Sequence, residues 1–127
     1  MSAAMSAATS AATYVRDFGC LGRDDVALVG GKNASLGEMY QHLTGAGVRV
    51  PGGFAITADG YRHVLDDAGA WPALAAAFDG LDPDDVTELA IRAERARRIV
   101  HDAGLPADLR EEVLAAYRTL RERYGDD

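Results

Sequence analysis

Apolar positions change their spacing along this chain, and each spacing predicts an element. Tyr14-Val15-Arg16-Asp17-Phe18 alternates, which predicts a short strand stopped by Gly19. Val26-Ala27-Leu28-Val29 is a continuous apolar run ending at Gly30-Gly31, and reads as a buried strand entering a turn. From Asn33 the period becomes helical, with Leu36, Met39, Tyr40 and Leu43 on one face, Asn33 as N-cap and Gly45 or Gly47 as stop. Val48-Arg49-Val50 must be extended, because the residue before Pro51 avoids the helical region. Phe54-Ala55-Ile56 reads as a second brief strand. Thr57 then caps a helix that turns Tyr61, Val64, Leu65 and Ala68 inward and ends at Gly69. Trp71-Pro72 opens a short alanine-rich helix that stops near Gly80. Asp82 is the expected cap of the next helix, with Pro83 at its first position and Gly104 closing it. Pro106 starts the last one, whose stripe is Leu109, Val113, Ala116, Tyr117, Leu120 and Tyr124.

The pattern therefore predicts an α+β chain, rich in helix, with two or three short strands. So few short strands make a poor sheet by themselves, and they read as part of a larger one. At 127 residues, 48% hydrophobic and 26% charged, the chain is one domain or part of one, with too much apolar area for wholesale disorder. Residues 1–13 differ: they repeat Ser-Ala-Ala, carry no basic residue, and read as a disordered tail rather than a secretory signal or transit peptide. A net charge of −7 argues against nucleic acid or an anionic membrane as a general partner. No apolar run approaches the roughly 18–20 residues of a membrane span, and the expected location is the cytoplasm. The single cysteine, Cys20, excludes an intramolecular disulfide and reads as a buried or inert thiol.

Candidate chemistry concentrates at Gly30-Gly31-Lys32. Lys32 is the only lysine among 13 basic residues, and it follows two glycines at the start of a predicted helix. Glycines let backbone N–H groups approach a phosphate, a helix start adds free donors and a positive dipole end, and an ammonium adds a mobile charge. The Walker A pattern is absent, since it wants Gly where Val26 stands and Ser or Thr where Asn33 stands. Spacing alone leaves two readings open: a phosphate site, or a glycine turn beside a solvated lysine.

Longer stretches carry more. VGGKNASLGEM and GAGVRVPGGFAITADGYRHVL, with LDPDDVTELA and PADLREEVLAAYRTL further on, resemble the N-terminal end of the phosphoenolpyruvate synthase (pyruvate, water dikinase) family. The resemblance runs from about Tyr14 to Tyr124, and pyruvate phosphate dikinase and rifampicin phosphotransferase share the Gly-Gly-Lys and Val-Pro-x-Gly-Phe regions. Gly52 stands where relatives often carry proline or a polar residue, which should loosen that turn. The resemblance implies that residues 14–127 are the N-terminal fragment of an ATP-grasp nucleotide-binding domain. It implies that ATP phosphorylates a histidine on a separate swivelling domain, with release of AMP and phosphate, and that a barrel domain passes the phosphoryl group to pyruvate. Lys32 then corresponds to the lysine that contacts the ATP phosphates, with Gly30 and Gly31 forming its turn. The Arg-Ser-Ser-Ala-Thr segment, the acidic Mg2+ ligands, the phosphorylated histidine and the pyruvate barrel have no counterpart in these 127 residues. The chain alone is therefore expected to be inactive and to hold neither a catalytic residue nor a metal ligand.

The remaining polar groups have plainer readings. His42, His63 and His101 show no metal-ligand spacing. Asp24-Asp25, Asp66-Asp67 and Asp84-Asp85 read as helix caps and solvated charge. Arg92, Arg95, Arg97 and Arg98, with Glu88 and Glu94 among them, read as a solvated face, and Trp71 as core packing beside its proline. The alternative to an enzyme fragment is a stand-alone helical module that binds a nucleotide or a protein without catalysis.

Overall fold

The computed structural model describes residues 13–125, so the tail expected over residues 1–13 falls, up to residue 12, outside them. Two compact units are present: residues 13–61 with 107–125, and residues 62–106.

The first unit holds the sheet. Strand β1 (Val15–Asp17) pairs antiparallel with β2 (Phe54–Ile56), placing Val15 opposite Ile56 and Asp17 opposite Phe54. These are the two strands expected at those positions. The third is not a strand. Val26–Val29 forms one helical turn, α1, entered through a 3-10 turn at Arg23–Asp25. A four-residue apolar run has no period long enough to separate strand from buried helix. Here Val29 is buried while Val26 stays half exposed, which suits a helix lying on a surface. Helix α2 (Gly31–Gly45) follows immediately.

The buried face of α2 is made of its smallest side chains, Ala34 and Gly37, rather than the expected stripe. Leu36 and Tyr40 are half-buried, whereas Met39 and Leu43 are exposed. Leu21, Val29, Ala34 and Ala55 form the central cluster, with Phe18 and Leu28 packed against it. The long helix α6, numbered in chain order and spanning Ala107–Tyr124, packs on β1 and buries Leu109 completely. Of its predicted stripe, Val113, Ala116 and Leu120 are half-buried, while Tyr117 and Tyr124 are exposed. Gly52 is held rather than loosened, because its N–H donates to Tyr124 Oη at 2.7 Å.

Helix α3 (Ala58–Asp67) begins at Thr57, whose buried hydroxyl accepts the Gly60 N–H at 3.1 Å, the cap that the sequence predicts. Val64 and Leu65 are buried as expected, but Tyr61 and Ala68 face outward.

In the second unit α4 (Trp71–Phe78) packs against α5 (Val86–Ala103). The cap of α5 is Asp85, which accepts the Glu88 N–H at 3.1 Å; Asp82 instead accepts from Asp84 N–H at 3.0 Å, in a turn before the helix. Among the described residues no helix is long and apolar enough to cross a membrane.

Candidate functional site

The Gly30-Gly31-Lys32 segment sits at the junction of α1 and α2. A tight turn leads into it: Gly22 N–H donates to Asp25 Oδ2 at 2.9 Å and Asp25 N–H to the Gly22 carbonyl at 3.0 Å. The Gly30 N–H then closes α1 onto the Val26 carbonyl at 2.8 Å. Gly30 has φ 84° and ψ 164°, a conformation open in practice to glycine alone. The chain therefore passes from one helix to the next with no intervening loop, and glycine is what permits it.

Gly30 is also the N-cap of α2, and its carbonyl accepts the Ala34 N–H at 3.1 Å. The N–H groups of Gly31, Lys32 and Asn33 lie in the first turn, where helix geometry provides no acceptor. A glycine cap supplies no side-chain acceptor either. Asn33, expected as the cap, is instead inside the helix, and its Nδ2 donates backwards to the Val29 carbonyl at 3.1 Å. The residue expected to cap the helix thus makes no cap hydrogen bond.

Charge reinforces this arrangement. Helix starts favour acidic residues, because the dipole end there is positive. The first turn of α2 contains none, and Lys32 adds a positive charge. Lys32 is exposed, with no ion pair or hydrogen bond among the described residues. A helix start with open N–H donors and a lysine has the chemistry to receive an anion. Gly30 and Gly31 are exposed beside it.

The rest of α2 is fastened to the segment before α1. Gln41 Nε2 donates to the Phe18 carbonyl at 3.1 Å and also to that of Leu21. Glu38 accepts the Arg23 N–H at 3.0 Å and pairs with His42 Nε2 at 2.9 Å. The Arg23 N–H, and then the His42 side chain, hold the Glu38 carboxyl below the usual glutamate range.

Other groups gather elsewhere. Hollows of about 360 and 310 Å3 lie along α6, the first lined by Arg118, Arg121, Glu122 and Gly125, the second including Pro51, Gly52, Tyr117 and Tyr124. Neither is lined by Lys32. His101 Nδ1 lies 3.3 Å from Asp102 Oδ1. Among the described residues no three His, Cys, Asp or Glu side chains come together as a metal site.

Three plain readings need correction. Trp71 is half exposed, not core, and its Nε1 donates to Asp66 Oδ1 at 2.6 Å. Arg92 is not part of a solvated face: besides Glu88 at 2.9 Å it reaches the Ala77 and Asp79 carbonyls at 3.3 and 2.6 Å, tying the end of α4 to α5. Its neighbours Arg97 and Arg98 do pair at the surface with Glu94, whose carboxyl the Arg97 hydrogen bond holds below the usual range. Cys20 is exposed rather than buried.

Residues 26–127 match the family described as pyruvate phosphate dikinase, AMP/ATP-binding domain. The chain belongs to that family, and α1, the Gly-Gly-Lys turn and α2 all fall within the match. Phosphoenolpyruvate synthase of Pseudomonas aeruginosa is 50% identical over 107 residues, covering 84% of this chain and 14% of that protein. The Synechocystis phosphoenolpyruvate synthase is 46% identical over 105 residues, covering 83% and 13%, and that of Escherichia coli 44% over 100 residues, covering 79% and 13%. The chain therefore spans only 13–14% of the length of these relatives.

Proposed function

We propose that residues 14–127 form the N-terminal part of an ATP-grasp nucleotide-binding domain of a cytoplasmic phosphoenolpyruvate synthase. In this reading Gly30, Gly31 and Lys32 receive the phosphates of ATP. The observation that carries it is the place of the lysine turn in the chain. Within a match to an AMP/ATP-binding family, one helix begins with uncapped N–H donors and the only lysine of the chain.

The chemistry follows from the geometry. Phosphate oxygens are held by backbone N–H groups of the first turn, which cost no side-chain ordering, and by an ammonium free to follow them. Gly31 has no side chain to keep a phosphate at a distance. ATP, when bound, supplies the phosphoryl group. The overall reaction converts ATP, pyruvate and water to phosphoenolpyruvate, AMP and phosphate through a phosphohistidine. Its histidine, its pyruvate site and its Mg2+ ligands belong to portions of the enzyme that these residues do not supply.

The test is a hybrid in which this chain replaces the matching segment of the Pseudomonas aeruginosa enzyme. The hybrid is expected to release AMP in a pyruvate-dependent reaction, and the 127-residue chain by itself to release none. A folded but inactive hybrid, or activity from the chain alone, contradicts the proposal.

A further inference from the structure

We propose that Asn33 is the positioning residue of the Lys32 turn: its amide spans Gly30 and fixes where the first-turn donors and the lysine point. This rests on the phosphate-binding reading above, and the ligand comes from the family match rather than from the helix start.

Gly30 links the end of α1 to the start of α2. Its backbone conformation is accessible to glycine alone, and nothing lies within 4 Å of where a Cβ would stand. The turn is therefore not held by packing at that position. Two main-chain bonds end on Gly30 itself, from its N–H to Val26 and from Ala34 N–H to its carbonyl. Each joins Gly30 to one helix only. The Asn33 Nδ2 bond to the Val29 carbonyl, 3.1 Å long and partly buried, joins the last residue of α1 to the first turn of α2 across the glycine. Without it, rotation about Gly30 is opposed by packing and by the more distant Gln41 and Glu38 hydrogen bonds, none of which crosses the glycine itself.

The same bond has a second consequence. Val29 ends α1, and its carbonyl is one of the acceptors that a helix end leaves without a partner. Asparagine is suited to satisfy it, since its amide donates while a carboxylate of the same shape cannot. No side chain caps the N–H groups of the first turn of α2. One side chain thus closes the end of α1 and leaves the start of α2 open.

A positioning role predicts coupling with Lys32, since residues acting through one another do not combine additively. The probe is inorganic triphosphate, titrated into the 127-residue chain and followed by the amide resonances of Gly31, Lys32 and Asn33. These amides are expected to shift at millimolar probe. Asn33→Ala should raise the dissociation constant about three- to tenfold, the range of one neutral hydrogen bond. Asn33→Gln, which keeps the amide, should recover part of the loss. In a Lys32→Ala background, Asn33→Ala should change affinity by less than a factor of about two, because the lysine it aims is gone. If the alanine variant unfolds, the glutamine variant and Asn33→Ser, which keeps a donor hydroxyl, carry the same comparison.

The outcomes separate the two ideas. Shifts that vanish with Lys32→Ala but ignore every Asn33 substitution overturn the positioning role and leave the phosphate reading standing. Equal effects of Asn33→Ala with and without Lys32 make Asn33 a purely structural residue and also overturn it. Shifts at these amides that persist unchanged in Lys32→Ala, or no shifts in the unaltered chain, overturn the phosphate reading and this inference with it.

Discussion

Gly37 lies directly against Leu21. A Cβ on Gly37 would stand 2.6 Å from both the Leu21 Cβ and the Leu21 carbonyl oxygen. Because one of those atoms is backbone, the neighbour cannot swing aside. This contact lets α2 approach the segment before α1, and Gln41 and Glu38 seal the approach with hydrogen bonds. Gly37→Ala is therefore expected to destabilise the chain. Alanine gains roughly 1 kcal/mol of helix propensity, but overpacking costs typically ~1–3 kcal/mol, and an immovable neighbour puts the cost at the upper end. Gly45→Ala is the control, since nothing lies within 4 Å of its Cβ position. Denaturant unfolding of both variants checks this; a Gly37→Ala chain as stable as the Gly45→Ala chain contradicts it.

Gly30 and Gly31 make a second pair with opposite expectations. Gly30→Ala forces a side chain into a glycine-only conformation, at a cost of about 1–3 kcal/mol. Gly31 has helical backbone and open space around its Cβ position, so Gly31→Ala should stabilise the free chain by roughly 0.5–1 kcal/mol. If a phosphate approaches that backbone, the same Gly31→Ala change should weaken nucleotide binding while the melting temperature rises. Thermal melts of the chain and ATP affinity of the hybrid enzyme measure the two effects separately. A Gly31→Ala hybrid that binds ATP normally removes the glycine from the site.

Glu38 gives a pH prediction with a definite sign. Its carboxyl is held below the usual glutamate range by the Arg23 N–H and by His42. A depressed folded value means that this contact stabilises the fold above the ordinary glutamate range and is lost as pH falls through the depressed value. The Arg23 amide resonance should titrate with a midpoint below that of an exposed glutamate, and Glu38→Gln should abolish the titration. A midpoint at or above the ordinary value contradicts the bond.

Much of this fold was legible in the sequence, and the exceptions have physical reasons. Thr57 was readable as a cap because a hydroxyl before a helical period has one obvious task. Phe54–Ile56 was readable because Pro51 and Gly52-Gly53 isolate it. Val26–Val29 was not, because four apolar residues have no usable period. The α2 stripe misled because leucine and methionine outweigh alanine and glycine in any hydrophobic pattern. Yet Gly37 is buried for its smallness, while Met39 and Leu43 stay exposed. Arg92 was hidden among four arginines that look alike, and only the end of α4 distinguishes it. At the candidate site, the glycine turn at the start of a helix was visible. The role of Asn33 was not, because a cap and a backward hydrogen bond use the same residue one turn apart.

The most direct measurement concerns Lys32 in the hybrid enzyme, with the two half-reactions assayed separately. A charge-assisted contact to phosphate is worth roughly 1.5–3 kcal/mol, or about ten- to a hundredfold in affinity. Lys32→Ala is expected to weaken ATP binding by that factor and to slow histidine phosphorylation. Exchange between phosphohistidine and pyruvate, which contains no ATP, should be nearly unchanged. Lys32→Arg should rescue only in part, because a planar fork replaces a compact ammonium in a tight turn. If Lys32→Ala slows both half-reactions equally, or neither, the lysine does not hold the phosphates of ATP and the account of this site is wrong.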